Sequence, residues 1–146
     1  MKPFNNHHNK EFLPGNIIPH GWYNRFCLDD GNPDLVSITN LADIVAWHRN
    51  GTNDHFGEQS AKFDGESLYI SYKYFEKKFG FKQDRARRSF VRLEKLGVLK
   101  RTFKNVELKD GTWVNRAVIT LDGKFFESCF NDPEIDIKDG GDGQSG

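Results

Sequence analysis

A chain of 146 residues is long enough for one domain that buries a core without disulfide help. Its 21 Lys/Arg balance 21 Asp/Glu, so total charge does not announce a polyanion binder. No apolar run approaches the roughly 18 residues of a membrane span, and the start, MKPFNNHHNK, lacks a signal-peptide core, so a cytoplasmic protein is expected.

Residues 1–12 are polar and aperiodic and read as a flexible arm; His7 and His8 have no third ligand, so no metal is expected. The stretch 13–26, LPGNIIPHGWYNRF, is punctuated by proline and glycine and then turns aromatic. It reads as an extended segment laid across the core and anchored by Trp22, Tyr23 and Phe26. A first helix is expected over Ser37–Arg49, with Ile38, Leu41, Ile44, Val45 and His48 on one buried stripe. Residues 50–66 are glycine-rich and polar and read as a long loop pinned by Phe56 and Phe63. After a short β segment at Ser67–Ile70, Ser71 reads as the N-cap of a helix over Tyr72–Phe79, which Gly80 stops.

The next stretch, QDRARRSFVRLEKLGVLKR, carries five arginines and two lysines between Gln83 and Arg101. Over Ser71–Lys104 twelve Lys/Arg face three acids, a local surplus hidden by acids elsewhere in the chain. At 100° per residue Ala86, Phe90, Leu93 and Gly97 share a core face. Arg85, Arg88, Arg92 and Lys95 fall on the far side, with Asp84 at its margin and Arg87 on one flank. Beyond Gly97, two runs of strand formers over 98–121 flank Asp110-Gly111, a hairpin signal. Phe125, Phe126 and Phe130 make a last apolar turn, and residues 131–146 form an acidic, Gly-rich tail. Cys27 and Cys129 belong to no CxxC or Cys/His set and read as free thiols.

The order of long helix, β segment, short helix, glycine turn, basic helix and hairpin resembles the winged helix-turn-helix family of DNA-binding domains. The resemblance covers about residues 35–123 of a domain spanning 13–130. It is densest at Phe75, Phe79-Gly80, Leu93, Leu96-Gly97 and Val98-Leu99. It implies an α+β fold with a three-helix core, a C-terminal two-stranded wing at 98–121 and an extended N-terminal segment. The finer layout resembles the winged-helix domains of plasmid and phage replication initiators and of mobile-element regulators. Glu76 departs from the pattern, since that position is usually small, and an ion pair with an arginine is expected there. Lys82 stands where a Ser or Thr cap is usual.

On this resemblance the partner is double-stranded DNA and the recognition helix, about 83–96, enters the major groove. Gln83, Asp84, Arg87 and Arg88 are the base-contact candidates. Ser71, Lys73, Lys82, Arg85, Arg92 and Lys95 are phosphate candidates, and Lys104, Lys109 and Arg116 lie on the wing. Removing Arg88 and Arg92 is expected to abolish binding and leave the fold intact. The process served is replication initiation or transcription regulation of a plasmid, phage or bacterial genome. The alternative is a winged helix that binds protein; a homodimer is open in either case. An enzyme reading gathers His20, His48, His55, Asp54 and Glu58, but their spacing fits no metal or nucleophile pattern and there is no Gly-rich phosphate loop. No catalysis, metal or cofactor is expected.

Overall fold

The computed structural model describes residues 15–50, 55–56, 61–63 and 67–131. Expectations for the arm 1–12, the tail past residue 131, Asp54, Glu58 and the side chains of His55 and Phe56 lie outside these. The described residues form a mixed α+β fold with helices on one antiparallel sheet. No helix among them is long and apolar enough to cross a membrane.

Helix α1 (Trp22–Arg25) is a single turn that buries Trp22. Trp22 and Phe26 meet edge to face at 5.6 Å, and both rings contact Phe125. Tyr23, expected as a third anchor, is exposed, because one turn of helix cannot aim consecutive residues at the same core.

Helix α2 (Leu35–Asn50) starts two residues before the expected boundary. Asp34 sets the start: its carboxylate accepts from the Ser37 amide at 3.2 Å and the Ser37 hydroxyl at 2.7 Å. The expected apolar stripe is present, but it is only part of what is buried. From Val36 to Trp47 every residue except Thr39 is buried, including the polar Ser37, Asn40 and Asp43. Such a helix is the centre of a fold, and its three-residue polar spacing marks a second packed face.

Part of the expected 50–66 loop is sheet. Strand β1 (His55–Phe56) pairs with β2 (Ala61–Phe63), and β2 pairs with β3 (Leu68–Ile70). Phe63 of β2 is buried beside Leu68 and Ile70 of β3, so the anchor expected of Phe63 is set from a strand where the polar composition suggested a loop.

Helix α3 (Tyr72–Phe79) and helix α4 (Gln83–Lys95) follow with the expected boundaries. Strands β4 (Leu99–Glu107) and β5 (Trp113–Leu121) make the hairpin, and α5 (Gly123–Asn131) returns Phe125 to the core. The sheet order is β1-β2-β3-β5-β4. Because β3 covers only Ala117 to Ile119, the rungs from Lys104–Arg116 to Glu107–Trp113 project as a two-stranded ribbon. Its tip closes through Leu108 N–H to Thr112 at 2.7 Å and Gly111 N–H to Leu108 at 2.9 Å. Gly111 takes φ 87°, which seats the glycine of the DG signal in the left-handed position of a three-residue loop.

Candidate nucleic-acid interface

Two glycine-free helices separated by a short turn build the site. Gly80, at φ 83°, ends α3 with its N–H on the Glu76 carbonyl at 2.9 Å. Lys82 then adopts an extended conformation and stands at the N-cap of α4 without a side-chain cap. Ser71 stands at the N-cap of α3, yet its hydroxyl makes no cap bond either, so the capping role expected of it is not realised. Both helix starts keep free amide donors in their first turns, the polarity that favours anions.

Ala86, Ser89, Phe90 and Leu93 form the buried face of α4. Phe90 packs on Phe75 and on Tyr72 of α3. Ser89 was not expected in the core. Its hydroxyl accepts from Asn40 of α2 at 3.1 Å and donates to the Ala86 carbonyl at 2.7 Å. Burying Ser89 shifts the centre of the buried face, so the outward direction falls on Asp84, Arg88 and Lys95, which are exposed, while Arg85 and Arg92 lie toward one flank and Arg92 is half-buried.

Arg92 is the clearest departure. Its guanidinium reaches across to α2 and grips Asp34 two-pronged, at 2.6 Å through Nε and 3.0 Å through Nη2. Burial alone would raise the Asp34 carboxyl, but hydrogen bonds from Arg92 and Ser37 and the Arg92 charge hold it below its ordinary value. Arg92 is therefore a structural clamp between the start of α2 and the last turns of α4. Its loss is expected to cost stability, whereas helical phase alone set it on the solvent face.

The base-contact candidates lie together at the start of α4 and are exposed. Asp84 Oδ1 accepts from Arg87 at 2.8 Å, and Oδ2 is ion-paired with Arg88 Nε at 2.8 Å. Hydrogen bonding from Arg87, with the nearby charges of Arg88 and Arg87, holds the Asp84 carboxyl below its ordinary value. Glu76 does not pair with an arginine as expected; it accepts from Gln83 Nε2 at 3.0 Å. Arg85 sits on the flank, its guanidinium 5.7 Å from the Phe81 ring, while Lys73, Lys82 and Lys95 are exposed.

The β4–β5 hairpin is divided by strand parity. Lys104 and Arg116 are direct cross-strand neighbours on the face of the sheet that carries Tyr69 and Val118. Lys104 lies 5.9 Å from the Tyr69 ring, and burial lowers the Arg116 guanidinium from its ordinary value. Lys109 is exposed at the tip. The other face carries Phe103 and Trp113, 55% and 63% exposed, with an Asn115–Asn105 hydrogen bond between their rungs. Sequence reasoning missed these two aromatics. Trp113 pairs with Glu107 and Val106 with Val114. Counting back from the Gly111 turn in both strands supplies that register.

Of the residues gathered by the enzyme reading, His20 and His48 have described side chains. His20 is exposed, and His48 Nδ1 lies 2.9 Å from the Ile44 carbonyl with its ring against Phe63 at 4.8 Å. Among the described residues no three His, Cys, Asp or Glu cluster to hold a metal ion.

The chain matches no protein-family model, no curated protein and no solved structure in the three comparisons made.

Proposed function

We propose that this chain is a cytoplasmic, non-catalytic protein that binds double-stranded DNA as a winged helix-turn-helix, with α4 in the major groove and the β4–β5 hairpin as wing. Its role on this reading is replication initiation or transcription regulation of a plasmid, phage or bacterial genome. The observation that carries the proposal is the solvent face of α4. Arg85, Arg87, Arg88 and Lys95 are exposed on a helix whose opposite side is anchored in the core by Ala86, Phe90 and Leu93. A rigidly backed cationic helix suits a groove lined by phosphates, where released counterions drive association. Support comes also from element order: α2, β3, α3, α4, β4 and β5 follow the winged-helix sequence. Gln83, Arg87 and Arg88 stand near the α4 N-terminus, where base edges are read. Ser71, Lys73 and Lys82 stand at the two helix starts for phosphate.

The test is salt-dependent binding. Arg85→Ala with Lys95→Ala is expected to keep the thermal midpoint and flatten the dependence of log affinity on log salt by about 2. Unchanged affinity and slope at matched salt would reject the reading. A second reading, a module that binds protein, is favoured by the exposed Phe103 and Trp113 on the projecting ribbon. It predicts a specific partner that survives nuclease treatment and is lost on Phe103→Ala with Trp113→Ala.

A further inference from the structure

We infer that Asp84 is a positioning residue that aims Arg87 and Arg88 at guanine and so gives the interface its sequence preference, a deepening that rests on the DNA-binding reading. Asp84 Oδ1 accepts from both Nε and Nη2 of Arg87, at 3.3 and 2.8 Å. Its Oδ2 forms an ion pair with Nε of Arg88 at 2.8 Å. A guanidinium offers two kinds of two-pronged edge: a side edge containing Nε and an end edge of Nη1 and Nη2. Asp84 holds Arg87 by its side edge and Arg88 by its Nε. In both arginines the Nη1–Nη2 end remains for a ligand.

That end matches the paired acceptors O6 and N7 which guanine presents in the major groove. One carboxylate thus orients two readers from a single turn of helix. Without it, both long side chains sample many rotamers, and ordering them on a base becomes an added cost of binding.

The charge of Asp84 acts in the same direction. It offsets one of the two guanidinium charges and repels phosphate, so backbone contact without base contact gains less. Direct contact of Asp84 with a base, expected of it as a base-contact candidate, would require giving up these two pairs. The same device recurs beside it, where Glu76 holds Gln83 by Nε2. Asp84 is half-exposed at the first turn of α4 and touches no core residue in these pairs, so its substitution spares the fold.

Selection of bound duplexes from a random-sequence pool, followed by affinity measurement on the enriched and a scrambled duplex, tests the inference. The wild-type chain should enrich a motif containing guanines. Asp84→Ala should bind the scrambled duplex more tightly, with a steeper salt dependence, and should lose about tenfold in preference for the enriched one. Asp84→Asn keeps one carbonyl acceptor and should fall between the two. Preference retained in Asp84→Ala, or an equal change of affinity for both duplexes, overturns the positioning role while leaving DNA binding standing. Absence of any duplex binding by the wild-type chain overturns the DNA reading itself and this inference with it.

Discussion

Arg92 and Arg88 are four residues apart on one helix and carry the same charge, yet they do different work. Arg88 is exposed and held only by Asp84, also exposed, and such pairs contribute little to stability. Arg92 meets a carboxylate that is almost fully buried and that also caps α2. Removing one partner of a buried pair costs about 3–5 kcal/mol, and the partial exposure of Arg92 lowers this. Arg92→Ala is expected to cost about 2 kcal/mol. Asp34→Ala, which also loses the cap, should cost about 3 kcal/mol by denaturant unfolding. Acid should report the same bond. The folded Asp34 carboxyl lies below its ordinary value of 3.8, so its contribution is complete above that value and fades as pH falls through the lower folded one. Arg92 stays charged throughout, and Ser37 does not titrate. Asp34→Asn should therefore lose less stability than wild type between about pH 5 and pH 2.

Helix α2 explains which parts of the fold were legible beforehand. Helices α3 and α4 are amphipathic and each is closed by a glycine, so their phase and ends could be read from spacing. Helix α2 is buried almost all round, and its polar residues serve tertiary partners that no local pattern names. Asp43 is the clearest case. It accepts from the Tyr74 hydroxyl and from Lys78 at 2.7 Å, and also from Asn16 at 2.9 Å. Tyr74 in turn accepts from Trp47 Nε1 at 3.0 Å. Burial, with the Asp43 charge and hydrogen bond, pushes the Tyr74 phenol up, so it remains a donor at any ordinary pH. Tyr74→Phe keeps the ring but strands these groups in the core. It should cost about 2 kcal/mol in chemical unfolding while leaving the exposed face of α4 in place. The turn of α4 that displaced Arg92 from the outer row has the same origin, because Ser89 looks like a surface residue until Asn40 is opposite it. The strands β1 and β2 were hidden for a third reason: at two and three residues they are too short for alternation to register.

At the scale of the whole molecule, the hairpin runs from the core cluster out into solvent. Leu99, Ile119 and Leu121 are buried at its base, and Trp113 stands beside its tip. The three tryptophans divide accordingly: Trp22 and Trp47 are 5% and 9% exposed and Trp113 is 63% exposed. Trp113→Phe is expected to remove most of the emission that acrylamide quenches in the native protein and to leave the unfolding midpoint unchanged within about 0.5 kcal/mol. Any change in that emission on adding duplex DNA then reports the wing alone. Strand β4 closes the sheet on this side, with no neighbour on its outer flank among the described residues. Nine residues of backbone along one flank offer a template onto which a second hairpin can add, the usual route from a sheet edge to self-association. Lys100, Arg101 and Lys104 punctuate that flank with charge. The lysine at 104, read first for its reach toward phosphate, is thereby also a guard against pairing between like chains, so loss of charge along this flank would carry the hazard of aggregation.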